Sequence, residues 1–311
     1  MHADADRTLA ALAAGQDGVF TIDDARREGL SSDQIDYRIG ASWSLIHDGV
    51  YRIAGAPATW RSGVRAALMV AGDGSAASHQ SAAAMYEVPG GTRDLVELTC
   101  VRWKRTVHAG LVVHESRRLD ARDIRLLDGI PVTTPERTLL DLAWRFPTAN
   151  FLELVIQAAR RKRLITYEST KEMFDRHARR GLKGVSALRE VLERWDPESR
   201  ATESEMETLL VQALRRSGLP EPVVQHDIAD AAGRFIARAD AAYPAAALAI
   251  EYDSKQEHSD EFQLAKDAQR RNRLQAAGYS VLSARYVDLK SGGTEICGQI
   301  AAIIRHRSEP A

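Results

Sequence analysis

The residues best suited to chemistry are three carboxylates in the last third of the chain. Asp240 lies in one predicted strand, and Glu251 lies in the next strand, two residues before Asp253. Adjacent antiparallel strands can bring Asp240 and Glu251 together, and residues two apart on a strand share a face. Such a cluster is costly unless a cation joins it, and Mg²⁺ prefers oxygen ligands. The spacing therefore predicts a Mg²⁺ site at which a phosphodiester could be polarised and a water activated.

Three further residues could assist such a centre. Glu205, on the preceding helix, could add a carboxylate, or it could only stabilise the first turn of that helix. Lys255 or His258 could orient the attacking water or offset developing charge. In the simpler interpretation, Lys255 or Arg238 only pairs with the acids, and His258 is a loop histidine without a role.

The acids need a sheet to position them, and the pattern of residues 199–311 predicts one. Helix, three strands, helix and strand follow in that order, which is typical of an α/β layer fold. The predicted elements are a helix over 203–216 capped by Thr202, strands over 223–229, 235–242 and 247–252, a helix over 260–277, and a strand over 279–283. Arg270 and Arg273 lie one turn apart on the long helix, where they could contact a phosphate backbone or form a solvated face.

Residues 1–56 predict a DNA-binding module. Two short helices joined by a turn at Gly29 precede a hairpin with an Asp-Gly turn, as in a winged helix-turn-helix. The second helix would enter the major groove. Its polar residues, with one arginine on the wing, are the expected DNA contacts: Gln34, Tyr37, Arg38 and Arg52. The segment is acidic, so a protein-interaction module remains the alternative.

The middle of the chain gives less. Residues 57–149 predict an α/β unit to which we assign no chemistry, and residues 150–198 predict a helical connector. The connector is rich in arginine and lysine, and this basic region could bind phosphate or form a solvated helix face.

Composition excludes several classes of protein. The chain has 311 residues, a net charge of −1 and two cysteines, Cys100 and Cys297. Two cysteines so far apart exclude a disulfide-rich framework and a cysteine-built zinc site. The acidic N-terminus does not resemble a signal peptide, and no apolar run reaches the length of a membrane span. We therefore expect a cytoplasmic protein of two or three domains that does not enter a membrane.

Motifs in several regions resemble known bacterial families. GLSSDQIDYRIGASWSLIHDGVYRIAGAP resembles the N-terminal winged-helix domain of AbiEi-type antitoxins of type IV toxin–antitoxin systems, and SHQSAAAMYEVPG with GIPVTTPERTLLDLA resembles its continuation. A second set resembles the very-short-patch-repair-like branch of the PD-(D/E)XK nuclease superfamily: TESEMETLLVQALRRSGLP, RADAAYP, AIEYDSKQEH and KDAQRRNRLQAAGYSVLSAR.

The nuclease resemblance carries over residue by residue. It implies that Asp240 is the first acid and Glu251 the second, and that Asp253 stands where many nucleases have a lysine. His258 matches a histidine common downstream, and Asp267 and Arg270 fall in the helix that often follows. The branch usually has a glycine directly after the aspartate at the position of Asp253, whereas this chain has Ser254 followed by Lys255.

The expected protein is thus an α/β multidomain chain with a winged helix-turn-helix, an α/β middle unit, a helical connector and a restriction-endonuclease-like domain over 199–311. The first expected function is a DNA-binding autorepressor, acting as a homodimer on a palindromic site. The antitoxin resemblance implies a nucleotidyltransferase-type toxin as its partner. The alternatives are a Mg²⁺-dependent endonuclease targeted by the winged helix, and a non-enzymatic interaction protein.

Overall fold

The computed structural model shows a mixed α/β protein divided into two compact units. It describes residues 2–103, 108–179, 181–195, 204–230, 232–253 and 261–308. Within these ranges there are thirteen α-helices and three β-sheets. One unit contains residues 1–155 and 165–193, and the other contains 156–164 and 194–311. No helix in the described ranges is long and apolar enough to cross a membrane.

The first unit begins with three helices and a small antiparallel sheet. Its elements are α1 (His2–Ala14), β1 (Val19–Thr21), α2 (Ile22–Arg27), α3 (Ser32–Arg38), β2 (Trp43–His47) and β3 (Val50–Ile53). The helices α2 and α3 start at Thr21 and Ser31, where capping boxes satisfy the first free amide groups. The sheet order is β1-β3-β2, so a third strand joins the predicted hairpin.

Aromatic packing fixes this N-terminal module. Phe20, Trp43 and Tyr51 are buried, and the Phe20 and Trp43 rings meet edge-on with centroids 4.7 Å apart. Leu9 of α1 and Ile35 of α3 complete the core. The strand β1 was not predicted because three residues are too short to show an alternating pattern.

A five-stranded sheet forms the rest of the first unit. Its elements are α4 (Trp60–Ala71), β4 (Ala76–Ala77), α5 (His79–Tyr86), β5 (Val96–Cys100), β6 (Leu111–Glu115), β7 (Ile124–Leu127), β8 (Ile130–Thr133) and α6 (Pro135–Arg145). The strand order is β6-β5-β4-β8-β7. β5 pairs with β6 and β4 with β8 in parallel, while β4–β5 and β7–β8 are antiparallel. Only two residues of β4 therefore join the β5–β6 pair to the β7–β8 pair.

Three separate helices occupy most of the segment predicted as a helical connector. They are α7 (Ala149–Arg161), α8 (Tyr167–His177) and α9 (Val185–Arg194). The helices α8 and α9 belong to the first unit, whereas residues 156–164, in the last turns of α7 and just beyond, belong to the second. Within the first unit, α6 packs against α5 and α8.

The second unit has the predicted order of helix, three strands, helix and strand, followed by two further helices. Its elements are α10 (Glu205–Arg216), β9 (Val223–Ala229), β10 (Phe235–Tyr243), β11 (Leu248–Asp253), α11 (Glu261–Ala276), β12 (Ser280–Arg285), α12 (Tyr286–Lys290) and α13 (Thr294–Ser308). The sheet order is β12-β11-β10-β9, with β9, β10 and β11 antiparallel and β12 parallel to β11.

Alternating residues of β11 bury the two faces of this sheet. Leu248 and Ile250 pack in a cluster with Leu210 of α10 and Ile300 of α13, while Ala249 packs in a second cluster with Leu274 of α11. This alternation is the period of a strand covered on both sides.

The start of α10 corrects a prediction. The N-cap of the helix is Ser204, whose hydroxyl accepts a hydrogen bond from the Glu207 amide at 3.1 Å. The expected cap, Thr202, lies outside the described residues.

Candidate functional site

A row of polar residues crosses the sheet of the second unit. The β10–β11 ladder ends at the pair of Ala241 with Ile250, and Asp240 and Glu251 are the residues next to that pair on the two strands. In the β9–β10 ladder Ala239 pairs with His226 and Ala241 with Val224, which leaves Gln225 opposite Asp240. Both predicted carboxylates are therefore on neighbouring strands, beside the same ladder pair.

Asp240 is fixed by the backbone of the neighbouring strand. Its Oδ2 accepts a hydrogen bond from the Tyr252 amide at 2.7 Å, which leaves Oδ1 outside that bond. Because β10 and β11 are antiparallel, this contact holds the carboxylate against β11, one residue beyond Glu251.

Glu251 is paired with an arginine of α11. Its Oε1 accepts from Arg270 Nη2 at 2.5 Å, and the same guanidinium nitrogen donates to the Arg238 carbonyl at 3.1 Å. Arg270, which was predicted to contact a phosphate, thus binds Glu251 of the acidic pair Asp240 and Glu251, and it connects α11 to β10. The Arg238 side chain, which was a possible partner for the acids, instead binds Asp227 at 2.6 Å.

A fourth polar residue enters from α10. Glu207 is buried and accepts a hydrogen bond from Gln225 Nε2 at 2.9 Å. The Gln225 backbone has a φ of +50°, an uncommon conformation for a residue within a strand. The sequence pattern favours Glu205 as the carboxylate of this helix and does not identify Glu207, the buried acid two positions later.

The remaining expected residues of this site are only partly described. Asp253 ends β11 and Glu205 begins α10, but the side chains of both lie outside what the structure describes. Lys255 and His258 lie outside the described residues altogether. Arg273 is exposed on α11, one turn from Arg270.

The expected DNA-contact residues differ in how free they are. Tyr37 on α3 is 78% exposed, and Arg52 on β3 is half-buried. The Gln34 side chain accepts from the Ser31 amide at 2.9 Å and so completes the cap of α3. Tyr37 is therefore the most accessible of the four.

Arg38 serves the N-terminal fold. Its guanidinium binds both oxygens of Asp6, at 2.8 and 2.7 Å, and donates to the Gln34 carbonyl at 2.8 Å. The side chain is 16% exposed, and the bond to Asp6 raises the pKa of Arg38. The pair connects α1 to α3 across 32 positions of sequence.

A cavity of about 480 Å³ lies in the first unit, in the region to which we assigned no chemistry. It opens between β5, β6, α6 and the segment that follows α8. Its lining residues are His79, Thr99, Val113, His114, Glu115, Ser116, Arg118, Arg137, Leu140, Asp141, Trp144, His177, Arg179, Leu182 and Lys183.

A buried ionic network centred on Asp123 lies next to this cavity. Asp123 is fully buried and accepts from Arg137 Nη1 at 3.3 Å, Arg176 Nη1 at 3.0 Å and His177 Nε2 at 3.1 Å. Burial acts to raise the pKa of Asp123, but hydrogen bonds from His177 and the Asp120 backbone and the charge of Arg137 hold it at about 2. Asp123 is therefore an anion despite its burial, because cations surround it.

Arg137 joins this network to the cavity. Its Nε donates to Asp141 Oδ1 at 2.9 Å, one helical turn along α6, while Nη1 reaches Asp123. Burial acts to lower the pKa of Arg137, but the two carboxylates outweigh it and raise the pKa. The guanidinium is thus fixed on two sides at the cavity wall.

Two stacked histidines form another wall of the cavity. The rings of His79 and His114 lie 3.6 Å apart at 17°, and Trp144 meets both edge-on. His79 has a φ of +50°, and its Nδ1 lies 2.9 Å from the hydroxyl of Ser78, the residue that precedes α5. A buried histidine in a left-handed conformation is strained, and such strain is often found at functional sites.

Burial and the neighbouring His79 lower the pKa of His114 to about 4, so the ring is neutral near pH 7. Glu97 lies next to the pair, and its Oε2 accepts from the Gln80 amide at the start of α5, 3.0 Å away. Ligand atoms of the two histidines and Glu97 all lie within 4.8 Å of one another.

One feature of the sequence does point to this cavity. Arg137 and Asp141 are charged residues four apart in a helix whose other positions are mostly apolar, PERTLLDLA. Opposite charges at that spacing in a buried helix predict an ion pair, which either stabilises the fold or forms part of a functional site. The rest of the network could not be found by spacing, because Asp123 is 14 positions from Arg137 and 54 positions from His177.

Comparisons with known proteins give distant relatives. No family model matches the chain. Two proteins of Mycobacterium tuberculosis, one from strain CDC 1551 / Oshkosh and one from strain H37Rv, are each 29% identical to this chain over 202 residues. The match covers 65% of this chain and 70% of each relative. Both relatives are described as uncharacterized, so the similarity brings no function to this chain.

Proposed function

We propose that the protein binds DNA through residues 1–56 and acts as a transcriptional regulator of the AbiEi antitoxin type. The observation that carries this proposal is the arrangement of α2, α3 and the β2–β3 hairpin, which follow one another as in a winged helix-turn-helix. In that motif the second helix enters the major groove and the hairpin lies beside it.

Tyr37 would be the main contact of α3 with DNA, because it is the most exposed of the predicted residues there. Asp36 is exposed beside it and offers an acceptor of the type that reads the cytosine amino group. Arg52 on the wing would contact phosphate. Arg38 would act indirectly, by fixing α3 against α1 through Asp6.

The acidity of this module does not exclude DNA binding, since most of its acids already have cationic partners. Asp23 pairs with Arg26 at 3.0 Å and Asp24 with Arg27 at 2.9 Å. Asp17 binds Arg61 and Arg65 of α4. These local pairs reduce the negative potential that an approaching phosphate backbone would meet.

The antitoxin resemblance adds two partners to the proposal. A homodimer would match a palindromic operator, and a nucleotidyltransferase-type toxin would be the cognate protein. Both can be tested by mixing the purified chain with its promoter fragment and with the product of a neighbouring toxin gene.

The decisive test is binding of the full chain to its own promoter in EDTA, measured by fluorescence anisotropy at several salt concentrations. Affinity should fall as salt rises, because counterions are released from the phosphates. Tyr37→Ala should weaken binding about tenfold or more, whereas Phe235→Ala, which removes another exposed aromatic ring in the second unit, should not. Absence of any salt-dependent binding would reject the proposal in favour of a protein-interaction module.

A second candidate function is Mg²⁺-dependent phosphodiester hydrolysis by the second unit. It is favoured by the polar row of Glu207, Gln225, Asp240 and Glu251 in a sheet whose element order resembles that of PD-(D/E)XK nucleases. Asp240 Oδ1 and Glu251 Oε2 take no part in the bonds described above, so each acid keeps an oxygen of the kind that Mg²⁺ prefers. Bound there, the metal would polarise the phosphodiester.

The residues of this chain would prepare that centre. The Tyr252 amide orients the Asp240 carboxylate, and Gln225 is held by Glu207. For Glu251 to bind a metal, its bond to Arg270 would have to break, or Arg270 would itself bind the scissile phosphate. Cleavage of labelled DNA in Mg²⁺ or Mn²⁺ but not in EDTA, lost in Glu251→Ala and kept in Asp227→Ala, would establish this function.

A further inference from the structure

The cavity of the first unit carries an excess of positive charge. Its charged lining consists of four cations and two carboxylates: Arg118, Arg137, Arg179 and Lys183, with Glu115 and Asp141. Asp141 is already paired with Arg137. The remaining charges are three cations against one carboxylate, so the cavity favours an anion.

Polar atoms in this lining are left without partners. Arg179 Nη2, Asp141 Oδ2 and His114 Nε2 are shielded from solvent and have no hydrogen-bond partner among the described residues. An unsatisfied buried donor or acceptor costs about 1–3 kcal/mol. A ligand that brought both an oxyanion and a hydroxyl group would satisfy the arginine and the aspartate together.

The cationic wall is organised before any ligand arrives. Arg137 is held by Asp141 at 2.9 Å and by Asp123 at 3.3 Å, and Asp123 is in turn fixed by Arg176 and His177. Arginine presents a planar set of donors that matches phosphate. A guanidinium that is already immobile loses little entropy on binding.

The apolar part of the lining limits what accompanies the anion. Leu140, Leu182 and Trp144 lie on the same cavity, and the Lys183 ammonium lies 5.4 Å from the Trp144 ring centroid. A volume of about 480 Å³ holds a small molecule rather than a macromolecule.

A metal ion held by His79, His114 and Glu97 explains the site less well. The two rings are stacked nearly parallel, so their nitrogen lone pairs run side by side and do not converge on one point. Glu97 already accepts from the Gln80 amide, where it stabilises the start of α5.

We propose that this cavity binds a small phosphorylated ligand that carries hydroxyl groups, of the sugar-phosphate or nucleotide class. The phosphate is bound by the fixed Arg137 and by Arg179, with Arg118 and Lys183, and a ligand hydroxyl donates to Asp141 Oδ2. The proposal is independent of DNA binding by residues 1–56, because none of the residues that line the cavity belongs to that module.

The test is calorimetric titration of the full chain with inorganic phosphate, ribose 5-phosphate, AMP and ribose, supported by melting curves. The phosphorylated compounds should bind and raise the melting temperature, since a ligand that binds the folded state stabilises it, and ribose should not. Arg179→Ala should raise Kd about tenfold or more, because charge-assisted bonds to phosphate are strong.

Two more variants make the test decisive. Lys183→Ala removes a cation whose side chain is exposed, so it should fold and still weaken binding. Arg125→Ala removes an exposed arginine of β7 that does not line the cavity, and should leave Kd unchanged. Tighter binding of AMP than of ribose 5-phosphate would identify the nucleotide class, and equal binding the sugar-phosphate class.

Three results would overturn the proposal. One is absence of binding of any phosphorylated compound at millimolar concentration. Another is binding that survives in both Arg179→Ala and Lys183→Ala. The third is tight binding of Zn²⁺ that is lost in His79→Ala while phosphate does not bind, since that would make this a metal site.

Discussion

The acidic pair Asp240 and Glu251 of the second unit and the ionic network around Asp123 in the first unit compensate their carboxylate charges in different ways. Asp123 is fully buried and is bound by two arginines and a histidine. The Glu251 side chain is 24% exposed and binds one arginine, itself 41% exposed. A fully enclosed charge needs complete compensation, whereas a partly solvated one can exchange its partner. The first arrangement suits a rigid wall, and the second suits a site that admits a ligand.

The largest expected effect comes from removing the centre of the network. Asp123→Ala leaves two arginines and a histidine without their shared carboxylate, so the free energy of unfolding should fall by about 3–5 kcal/mol. Asp175→Ala, which breaks only the exposed pair with Lys171, should cost below about 0.5 kcal/mol. Urea unfolding of both variants measures this difference. Equal losses would show that the network is no more important than a surface pair.

The next largest effect is expected from pH, at the histidine wall of the cavity beside the ionic network. The pKa of His114 is about 4 in the folded protein and ordinarily 6.5, so the unfolded chain binds a proton first as pH falls. Stability should therefore decline between pH 6.5 and 4, with a slope from this group of at most about 1.4 kcal/mol per pH unit. His114→Gln should flatten that decline in urea unfolding. His306→Gln, at an exposed position of α13, is the control, and an unchanged slope in His114→Gln would contradict the assignment.

A smaller effect is expected at the acidic pair. Asp240→Ala removes the acceptor of the Tyr252 amide, so the free energy of unfolding should fall by about 1 kcal/mol. Asp227→Ala removes a more exposed partner of Arg238 and should cost less. Chemical unfolding followed by circular dichroism compares the two. A loss as large as that of Asp123→Ala would erase the contrast between the units.

The smallest effect should come from the partner of Glu251. Arg270→Ala should change the free energy of unfolding by less than about 1 kcal/mol, because both members of the pair are partly solvated. If the second unit binds Mg²⁺, the same variant should alter metal affinity more than stability, which calorimetry can measure. A large loss of stability without any change in metal affinity would make Arg270 purely structural.

The sequence predicted those parts of the molecule that depend on local pattern. The β2–β3 hairpin and the helix–strand order of residues 204–285 follow from turn residues and apolar periodicity. The antiparallel pairing of β10 with β11, the strands that carry Asp240 and Glu251, also follows, because consecutive strands joined by a short turn pair with each other.

The rest depends on contacts between distant residues, which a single sequence does not reveal. Arg38 has the polarity of a groove contact, but Asp6, 32 positions earlier, takes up its guanidinium. The cavity is assembled from β5, β6, α6 and the end of α8, and no short motif contains its charges together. Strands of two to four residues, such as β1, β4 and β7, are too short to show a period.

The two-residue strand β4 is a narrow connection within the five-stranded sheet of the first unit. It joins a first ribbon, β5–β6, to a second ribbon, β7–β8. Ala76 and Ala77 pair with β5, where the Ser78 amide also donates to the Glu97 carbonyl, and Ala77 pairs with β8. His114 lies on the first ribbon, whereas Asp123 directly precedes the second and Arg137 follows it in α6. Transient opening of the strand pairing at β4 would move the histidine wall of the cavity away from its arginine wall. Hydrogen exchange at the two alanine amides would therefore report how often the cavity opens, and a bound ligand that bridged both walls would slow it.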